Sequence, residues 1–155
     1  MEIRFAKKED LAGINSLLRQ VLEVHHQGRP DLFHTGVKKY TDDEILDILV
    51  NENTPVFVAV EAETVLGYAF CVLTEVKGSH ILKDVKTLYL DDLCVDENCR
   101  GQHIGKALYE HVLDFARNMG CYNLTLNVWS CNRGAMRFYE KLGLTPQKTV
   151  LETIL

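Results

Sequence analysis

The stretch DENCRGQHIGKAL, residues 96–108, lies between a segment with the pattern of a β-strand and a segment with the periodicity of a helix. It contains Gly101 and Gly105, with Arg100 before the first glycine and Lys106 after the second. A loop that leads into a helix points unpaired backbone N–H groups at one spot, where the helix dipole adds positive charge. The stretch therefore predicts a phosphate or pyrophosphate site. Glycines that serve only a tight turn and close helix packing would have the same spacing.

The segments around this loop have strand patterns. Short alternating or continuously apolar runs at residues 2–6, 55–73, 87–95 and 122–129 predict strands. The second run contains turn residues near positions 62–64, so it predicts a hairpin. The alternating segment KTVLETIL, residues 148–155, predicts a closing strand.

Helix patterns fill the intervals between these strands. Apolar residues recur at spacings of three and four over residues 11–22, and this first helix is expected to give way to a loop at residues 25–36. Thr41 and Glu44 form a capping-box signature for a short second helix. A third helix should end at Gly120 and a fourth at Gly143. We expect a single α/β domain over residues 1–155, with a mixed sheet.

The composition narrows the class of function. The chain has 155 residues, of which 46% are hydrophobic and 25% are charged, as in ordinary globular domains. Its formal net charge of −5 argues against a general nucleic-acid binder, which needs a basic surface to neutralise phosphates. The sequence shows neither a signal-peptide pattern nor an apolar run that would cross a bilayer. We expect a cytoplasmic protein that does not contact a membrane.

The cysteines give no sign of a disulfide framework or a metal site. There are five of them, Cys71, Cys94, Cys99, Cys121 and Cys131, and no two form a C-x-x-C pair. We expect reduced thiols, mostly buried. Because no pair of Cys or His residues has zinc-finger spacing, we expect no metal.

Two well-known phosphate-binding motifs do not fit the glycine loop. A Walker loop has four residues between its glycines and a Ser or Thr after its lysine. Here three residues separate Gly101 from Gly105, and Ala107 follows Lys106. The dinucleotide pattern G-x-G-x-x-G is absent. These mismatches disfavour a P-loop nucleotide phosphatase.

The glycine loop instead resembles motif A of the GNAT superfamily of acyl-CoA N-acyltransferases, whose core is [QR]-x-x-G-x-[GA]. Arg100 fills the first position and Gly105 the last, whereas His103 stands where the family has its middle glycine. Residues 126–144 resemble motif B of the same family, with the pattern N-x-x-A-x-x-F-Y-x-K-x-G. That pattern is matched by Asn132, Ala135, Phe138, Tyr139, Lys141 and Gly143.

The resemblance covers nearly the whole chain and implies both a fold and a reaction. Residues 3–18 resemble the family's first strand and helix, and residues 56–73 its central hairpin. The implied fold is a mostly antiparallel sheet flanked by helices, in which the parallel fourth and fifth strands splay apart and hold the pantetheine arm of coenzyme A. The implied reaction is transfer of the acetyl group of acetyl-CoA, as co-substrate, to a primary amine by direct attack in a ternary complex.

The family reaction needs a base, an activated carbonyl and a proton for the departing thiolate. Family members commonly use a carboxylate on the fourth strand as the base, and this sequence offers Asp91 and Asp92. In a regular strand Asp92 shares a face with Leu90 and Cys94 and points into the opening, whereas a bulge would exchange the two carboxylates. We prefer Asp92. Tyr139 matches the family's general acid, although a tyrosine on an apolar helix face is also typical of a core.

The resemblance also implies a cofactor site. The backbone segment that polarises the thioester carbonyl and pairs with pantetheine corresponds to Leu93, Cys94 and Val95. The pyrophosphate is expected at Arg100, Gly101, Gln102, His103, Ile104, Gly105 and Lys106. Asn132 either caps the last helix or binds pantetheine, and both roles are compatible.

The acceptor is less well defined by the sequence. In the family, the region around residues 25–36 covers the acceptor site, which makes His25, His26, Arg29 and Phe33 candidate contacts. A purely structural loop is an equal alternative. The acceptor is a small amine, an amino acid, a polyamine or a protein amine, and a homodimer is compatible with the sequence. The main competing hypothesis is a non-catalytic CoA-binding sensor, which would need neither Tyr139 nor the acidic pair.

Overall fold

A single five-stranded sheet, with its strands in chain order, organises the computed structural model, which describes all 155 residues. The strands are β1 (Glu2–Phe5), β2 (Val56–Glu61), β3 (Thr64–Val76), β4 (Val85–Val95) and β5 (Asn123–Leu126). Neighbours from β1 to β4 pair antiparallel, whereas β4 and β5 pair parallel. The predicted α/β fold with a mixed, mostly antiparallel sheet is confirmed.

Four helices flank this sheet: α1 (Leu11–Gly28), α2 (Asp42–Val50), α3 (Ile104–Asn118) and α4 (Arg133–Lys141). A 3₁₀ turn precedes α1 at Lys8–Asp10, and another precedes α3 at Glu97–Cys99. The first helix is longer than predicted, because His25 and His26 lie inside α1 and not in the loop that follows it. None of the helices combines the length and the apolar character needed to span a membrane.

Each face of the sheet has its own hydrophobic core. Strand β2 contributes to both, since Val58 packs with α1 and α2 while Phe57 packs with α3 on the opposite face. Both side chains are fully buried, which explains why this central strand is a continuous apolar run. Burial of each such side chain contributes about 1.5–3 kcal/mol. The two cores fix the sheet between the helix pairs and thereby fix the ends of β4 and β5.

Local signals in the sequence set the turns and caps as predicted. The Thr41 hydroxyl accepts a hydrogen bond of 3.2 Å from the Glu44 N–H, and the Glu44 carboxylate accepts one of 2.7 Å from the Thr41 N–H. The β2–β3 hairpin turns at Ala62 and Glu63, which have φ values of 46° and 66°. Such left-handed residues match the twist of a two-residue hairpin loop. The capping box and the hairpin are therefore both confirmed.

The prediction of a closing strand at residues 148–155 is wrong. This segment has no regular secondary structure, and Val150, Leu151, Ile154 and Leu155 are exposed. An alternating pattern forms a strand only where a neighbour accepts its backbone hydrogen bonds, and the sheet ends at β5. The predicted strand at residues 122–129 is also shorter than expected, because β5 stops at Leu126.

Candidate active site

A gap opens between β4 and β5 after a short parallel contact. The two strands pair from Thr87 opposite Asn123 to Leu90 opposite Leu126. Strand β5 ends there, whereas β4 continues to Val95. The last residues of β4 therefore have β3 on one side and no strand on the other. This gap is the splay that the sequence analysis expected between the fourth and fifth strands.

Backbone groups of β4 point into the gap. The N–H of Asp96 donates to the Leu66 carbonyl beside β3 at 2.8 Å, and the backbone groups of alternate residues in an antiparallel pair point to the same side. Cys94 therefore directs its backbone towards β3, while Leu93 and Val95 direct their N–H groups into the gap. Two such donors can pair with an extended ligand as a further strand would.

The side chain of Cys94 is also turned away from the gap. Its thiol donates to the Leu17 carbonyl at 3.6 Å, and burial raises the pKa of Cys94 to about 12. A thiol in this state is inert as a nucleophile at neutral pH.

A β-bulge shapes the site. Phe70 pairs with Asp92 and Cys71 pairs with Leu90, which leaves Asp91 as an extra residue without a cross-strand partner. Because an extra residue shifts the alternation, Asp91 and Asp92 both project towards the α1 and α2 face, while Leu90 packs on the α3 face. The expectation that Asp92 shares the face of Leu90, and that the strand aims only one of the two carboxylates, is therefore wrong.

The Asp92 carboxyl group is partly buried beside the gap. Burial raises its pKa to about 6, and the charge of Asp91 adds to this effect. The charge of Lys39 and a hydrogen bond of 3.0 Å from the Tyr68 hydroxyl act in the opposite direction. The carboxylate therefore loses its proton just below neutral pH, where a group can both accept and release protons.

Asp91 is held by two residues from the loop before α2. The Tyr40 hydroxyl donates to its Oδ2 atom at 2.6 Å, and the Lys39 ammonium lies 2.7 Å from the same oxygen. Burial and these acidic neighbours raise the pKa of Tyr40, whose ring is stacked on Phe70 at 5.6 Å between centroids. Sequence reasoning missed Lys39 and Tyr40, because they lie in an irregular loop more than fifty positions from Asp91.

Tyr139 approaches the gap from α4. Its ring packs edge-to-face on Tyr109 at 6.4 Å between centroids, and its hydroxyl makes no hydrogen bond within the protein. Burial raises the pKa of Tyr139, followed by the negative charge of Asp92 and the neighbouring Tyr109. The phenol is therefore protonated at neutral pH, lies within the electric field of Asp92 and has a hydroxyl free to donate.

The glycine loop leaves backbone N–H groups without side-chain acceptors at the start of α3. His103 precedes the helix with a φ of 62° and makes no side-chain capping bond, so the first N–H groups of α3 have no side-chain acceptor. Arg100 and Lys106 are exposed beside them. Gln20 of α1 anchors the entry to the loop, because it donates to the Asp96 carboxylate at 3.0 Å and accepts from the Glu97 N–H at 3.1 Å.

Gly105 lies at the contact between α3, β4 and α4. A Cβ atom at this position would lie 3.4 Å from both the Phe138 ring and the Val95 side chain. The absence of a side chain thus lets α3 approach β4 and α4 closely. A side chain larger than alanine would therefore project towards Phe138 and Val95.

Asn132 caps α4, as one of its two expected roles requires. Its side-chain oxygen accepts from the Ala135 N–H at 3.0 Å. Asn132 also lines a cavity of about 380 Å³ between the end of α1 and the start of α4, together with His25. The cavity brings a candidate cofactor residue and a candidate acceptor residue together.

The four candidate acceptor residues divide into two pairs. His25 and Phe33 belong to an aromatic wall: their rings lie 5.1 Å apart, and Phe33 packs edge-to-face on Trp129, also at 5.1 Å. Burial and the charge of Lys39 lower the pKa of His25, so this ring is neutral near pH 7. Trp129 was not selected from the sequence, although it lies within the stretch that resembles motif B, three residues before Asn132, and is partly exposed.

The other pair, His26 and Arg29, is engaged in holding the loop. His26 Nδ1 lies 2.7 Å from the Phe33 carbonyl oxygen. Arg29 pairs with Asp31 at 2.7 Å and with Glu152 of the C-terminal segment at 2.5 Å. Both side chains thus have structural partners within the protein.

Comparisons with known proteins show the family of this chain. The family model described as the acetyltransferase (GNAT) family matches residues 18–144. The thialysine N-epsilon-acetyltransferase of Bos taurus is 38% identical over 151 residues, covering 91% of this chain and 82% of that protein. The peptidyl-lysine N-acetyltransferase YjaB of Salmonella typhimurium is 29% identical over 144 residues, covering 92% and 82%. The glucosamine 6-phosphate N-acetyltransferase of Arabidopsis thaliana is 27% identical over 110 residues, and only 64% of its length is covered.

Solved structures share the fold. The tetramutant of the BH1408 protein from Bacillus halodurans superposes with a TM-score of 0.96 at 30% identity, with all of both chains covered. The aminoglycoside N-acetyltransferase AAC(6')-Iy, solved in complex with CoA, has a TM-score of 0.72 at 16% identity, covering 99% of this chain and 98% of that one. At that identity the second likeness concerns the fold alone.

Proposed function

The chain belongs to the GNAT family of acetyltransferases and is an acyltransferase, and we propose that it moves the acetyl group of acetyl-CoA to a primary amine by direct attack in a ternary complex. One observation carries the proposal: Asp92 and Tyr139 flank the gap into which Leu93 and Val95 point their N–H groups. A base, a proton donor and carbonyl-polarising donors are thus available at one opening, and amine acylation needs these three elements.

The cofactor would lie along β4 and across the start of α3. The free N–H groups of the first turn of α3, with Arg100 and Lys106, suit a pyrophosphate group. The pantetheine arm would pair with the exposed backbone of Leu93 and Val95. The N–H groups of Leu93 and Val95 would polarise the thioester carbonyl, and that of Leu93 also favours the charged form of Asp92.

Asp92 is the better base of the two carboxylates. With a pKa of about 6 it is ionised at neutral pH, so it can take a proton from an acceptor amine directly or through water. Asp91 already binds Lys39 and Tyr40. Its role in this proposal is to bind a positively charged acceptor and to raise the pKa of Asp92.

Tyr139 would protonate the departing thiolate. Its electrostatic interaction with Asp92 favours proton release from Tyr139 after Asp92 has accepted a proton. While Asp92 is charged, it raises the pKa of Tyr139 and keeps the phenol protonated. Once Asp92 has accepted the amine's proton, this charge is gone, so the phenol becomes a stronger acid as the thiolate leaves. Proton uptake on one side of the gap therefore promotes proton release on the other.

Two carboxylates on the acceptor side favour an amine that arrives as a cation. The relatives named above act, by their names, on thialysine, peptidyl-lysine and glucosamine 6-phosphate, and each of these carries a primary amine. We propose a primary alkylamine as the acceptor class.

A single assay tests the proposal. Thiol release from acetyl-CoA is measured over a panel of thialysine, glucosamine 6-phosphate, a lysyl peptide and a polyamine, with CoA binding followed in parallel by calorimetry. We expect amine-dependent thiol release with at least one acceptor. Tight CoA binding without release on any amine would favour the CoA-binding sensor. ATP hydrolysis without acetyl transfer would favour a P-loop enzyme.

A further inference from the structure

We propose that the side-chain amine of Lys39 occupies the acceptor site, and that the enzyme acetylates the Nζ atom of its own Lys39 when no acceptor displaces it. This inference rests on the acetyltransferase function proposed above. It adds a modification site and a self-directed activity that the general reaction does not require.

The position of the Lys39 amine is the first observation. Its Nζ atom lies 2.7 Å from Oδ2 of Asp91, at the oxygen that also accepts from Tyr40. Stacking of Tyr40 on Phe70 fixes the backbone next to Lys39 over β3. A cationic acceptor would be drawn to the same carboxylate, so Lys39 occupies the place that an acceptor ammonium needs.

The second observation is that the Lys39 charge changes the pKa of two other groups. It lowers the pKa of Asp92, the proposed base, and that of His25 in the aromatic wall. The amine therefore lies within electrostatic range of both the proposed base and a candidate acceptor residue. The Lys39 side chain is 38% exposed, so the surrounding protein does not enclose its amine.

The neighbouring lysine provides an internal contrast. Lys38 points away from the gap, because its Nζ atom binds Asn15 at 2.7 Å and also binds Asp42 at the start of α2. Lys38 and Lys39 thus share the same loop and the same chemistry but differ in access to Asp91. Any selective acetylation of Lys39 must come from its position in the site.

The Lys39 ammonium gives a proton to Asp92, and the free amine attacks the thioester carbonyl carbon of acetyl-CoA. A C–N bond forms, the C–S bond breaks, and the CoA thiolate takes a proton from Tyr139. Asp92 then returns its proton to Tyr139 through solvent, and the second proton of the original ammonium passes to water. The products are N-ε-acetylated Lys39, CoA thiol and one released proton.

Acetylation changes the site that produced it. The acetamide has no charge, so the ion pair with Asp91 is lost. Asp91 would then be free to bind an acceptor ammonium.

The test uses the full chain incubated with acetyl-CoA and no acceptor, with peptide mass mapping of Lys39 and Lys38 over time. We expect Lys39 to be acetylated at least about tenfold faster than Lys38, because the site holds its amine in place. The rate should not depend on protein concentration, as befits a reaction within one chain. In Tyr139→Phe it should fall by about 10²-fold or more, the loss typical of a missing general acid.

Matched variants and outcomes complete the test. Lys39→Arg keeps the positive charge beside Asp91 and should abolish the modification, whereas Lys38→Arg should leave it unchanged. Equal acetylation of both lysines, or an unchanged rate in Tyr139→Phe, would show non-enzymatic acetylation and overturn the proposal. Turnover of an external amine with Lys39 unmodified would overturn it too, but would leave the proposed function intact. Failure of all amines, Lys39 included, would overturn both.

Discussion

Tyr68 donates a hydrogen bond of 3.0 Å to Asp92, from the neighbouring strand to the carboxylate beside the gap. Burial raises the pKa of Asp92 to about 6, and this hydrogen bond opposes that rise because it stabilises the charged form. The charge of Lys39 acts in the same direction as Tyr68. The backbone N–H of Leu93 also favours the charged form, whereas the charge of Asp91 disfavours it. The protonation state of the proposed base is thus a balance between burial and the Asp91 charge on one side and Lys39, Tyr68 and the Leu93 N–H on the other.

Removing the Tyr68 hydroxyl should change this balance. In Tyr68→Phe the buried ring is kept, and the carboxylate loses one donor, so the pKa of Asp92 should rise. We expect the acidic limb of the pH profile of kcat/KM to move to higher pH. The control is Tyr89→Phe, whose hydroxyl accepts from Asn127 at 3.0 Å and does not bind Asp92. An acidic limb that moves equally in both variants would contradict the assignment.

The two carboxylates should differ in their effect on rate. Asp92→Asn should lower kcat by about 10²- to 10⁴-fold, the range typical of a lost general base, and most strongly below the pKa of the acceptor amine, where the amine still carries a proton. Asp91→Asn should mainly raise the KM for a cationic acceptor. Steady-state kinetics across pH separates the two effects. If both variants retain full activity over this range, the base lies elsewhere.

Asp92→Asn should also make the protein more stable near neutral pH. The pKa of Asp92 rises on folding from its ordinary value of 3.8 to about 6, so the native state binds more protons in that window. The free energy of unfolding of the wild type therefore falls as the pH rises from 3.8 to about 6, and it stays reduced at higher pH. Asp92→Asn should gain about 1–2 kcal/mol near neutral pH, less than the full shift implies because the carboxylate is partly hydrated.

Urea unfolding at two pH values checks this expectation. The gain should vanish well below the ordinary pKa of 3.8, where the wild-type side chain is protonated in both folded and unfolded chains. If the variant is less stable than the wild type at neutral pH, the charged Asp92 carboxylate stabilises the folded state, and the prediction is wrong.

The loop before α3 can be tested through its cations. Arg100→Ala combined with Lys106→Ala should weaken CoA binding by about tenfold at low salt and by less at high salt, because exposed charges are screened. Binding of a phosphate-free pantetheine thioester should not change. Arg117→Ala, an exposed charge at the other end of α3, is the matched control. Equal weakening for the phosphate-free thioester would mean that the loop does not bind phosphate.

The sequence predicted the structure best where a functional motif also contains the local signals that start or end a helix. The two motifs place Arg100, Gly105 and Tyr139 on a helix start and a helix face, and local patterns such as the Thr41–Glu44 box specify helix ends without long-range information. The order of these elements predicted a mixed α/β domain, and the resemblance to the GNAT superfamily implied the opening between β4 and β5.

Features that depend on distant partners could not be predicted in this way. The bulge at Asp91 arises from the register between β3 and β4, which no local pattern around the two carboxylates reveals. Lys39 reaches Asp91 only because the loop before α2 folds over β3. The tail at residues 148–155 has the alternation of a strand but lacks a neighbour that would make it one.

The most direct test of the proposed mechanism concerns the hydroxyl of Tyr139. Tyr139→Phe keeps the ring that packs on Tyr109 and removes only the proton donor. We expect CoA affinity to change little and kcat to fall by about 10²- to 10⁴-fold, as for loss of a general acid.

The decisive measurement compares this rate deficit for acetyl-CoA and for an acetyl thioester analogue whose thiol has a low pKa and still fills the pantetheine site. A good leaving group needs no proton, so the account predicts that Tyr139→Phe recovers most of its lost rate with the analogue. A deficit of the same size for both thioesters, or an effect confined to KM, would contradict it and make Tyr139 a packing or binding residue.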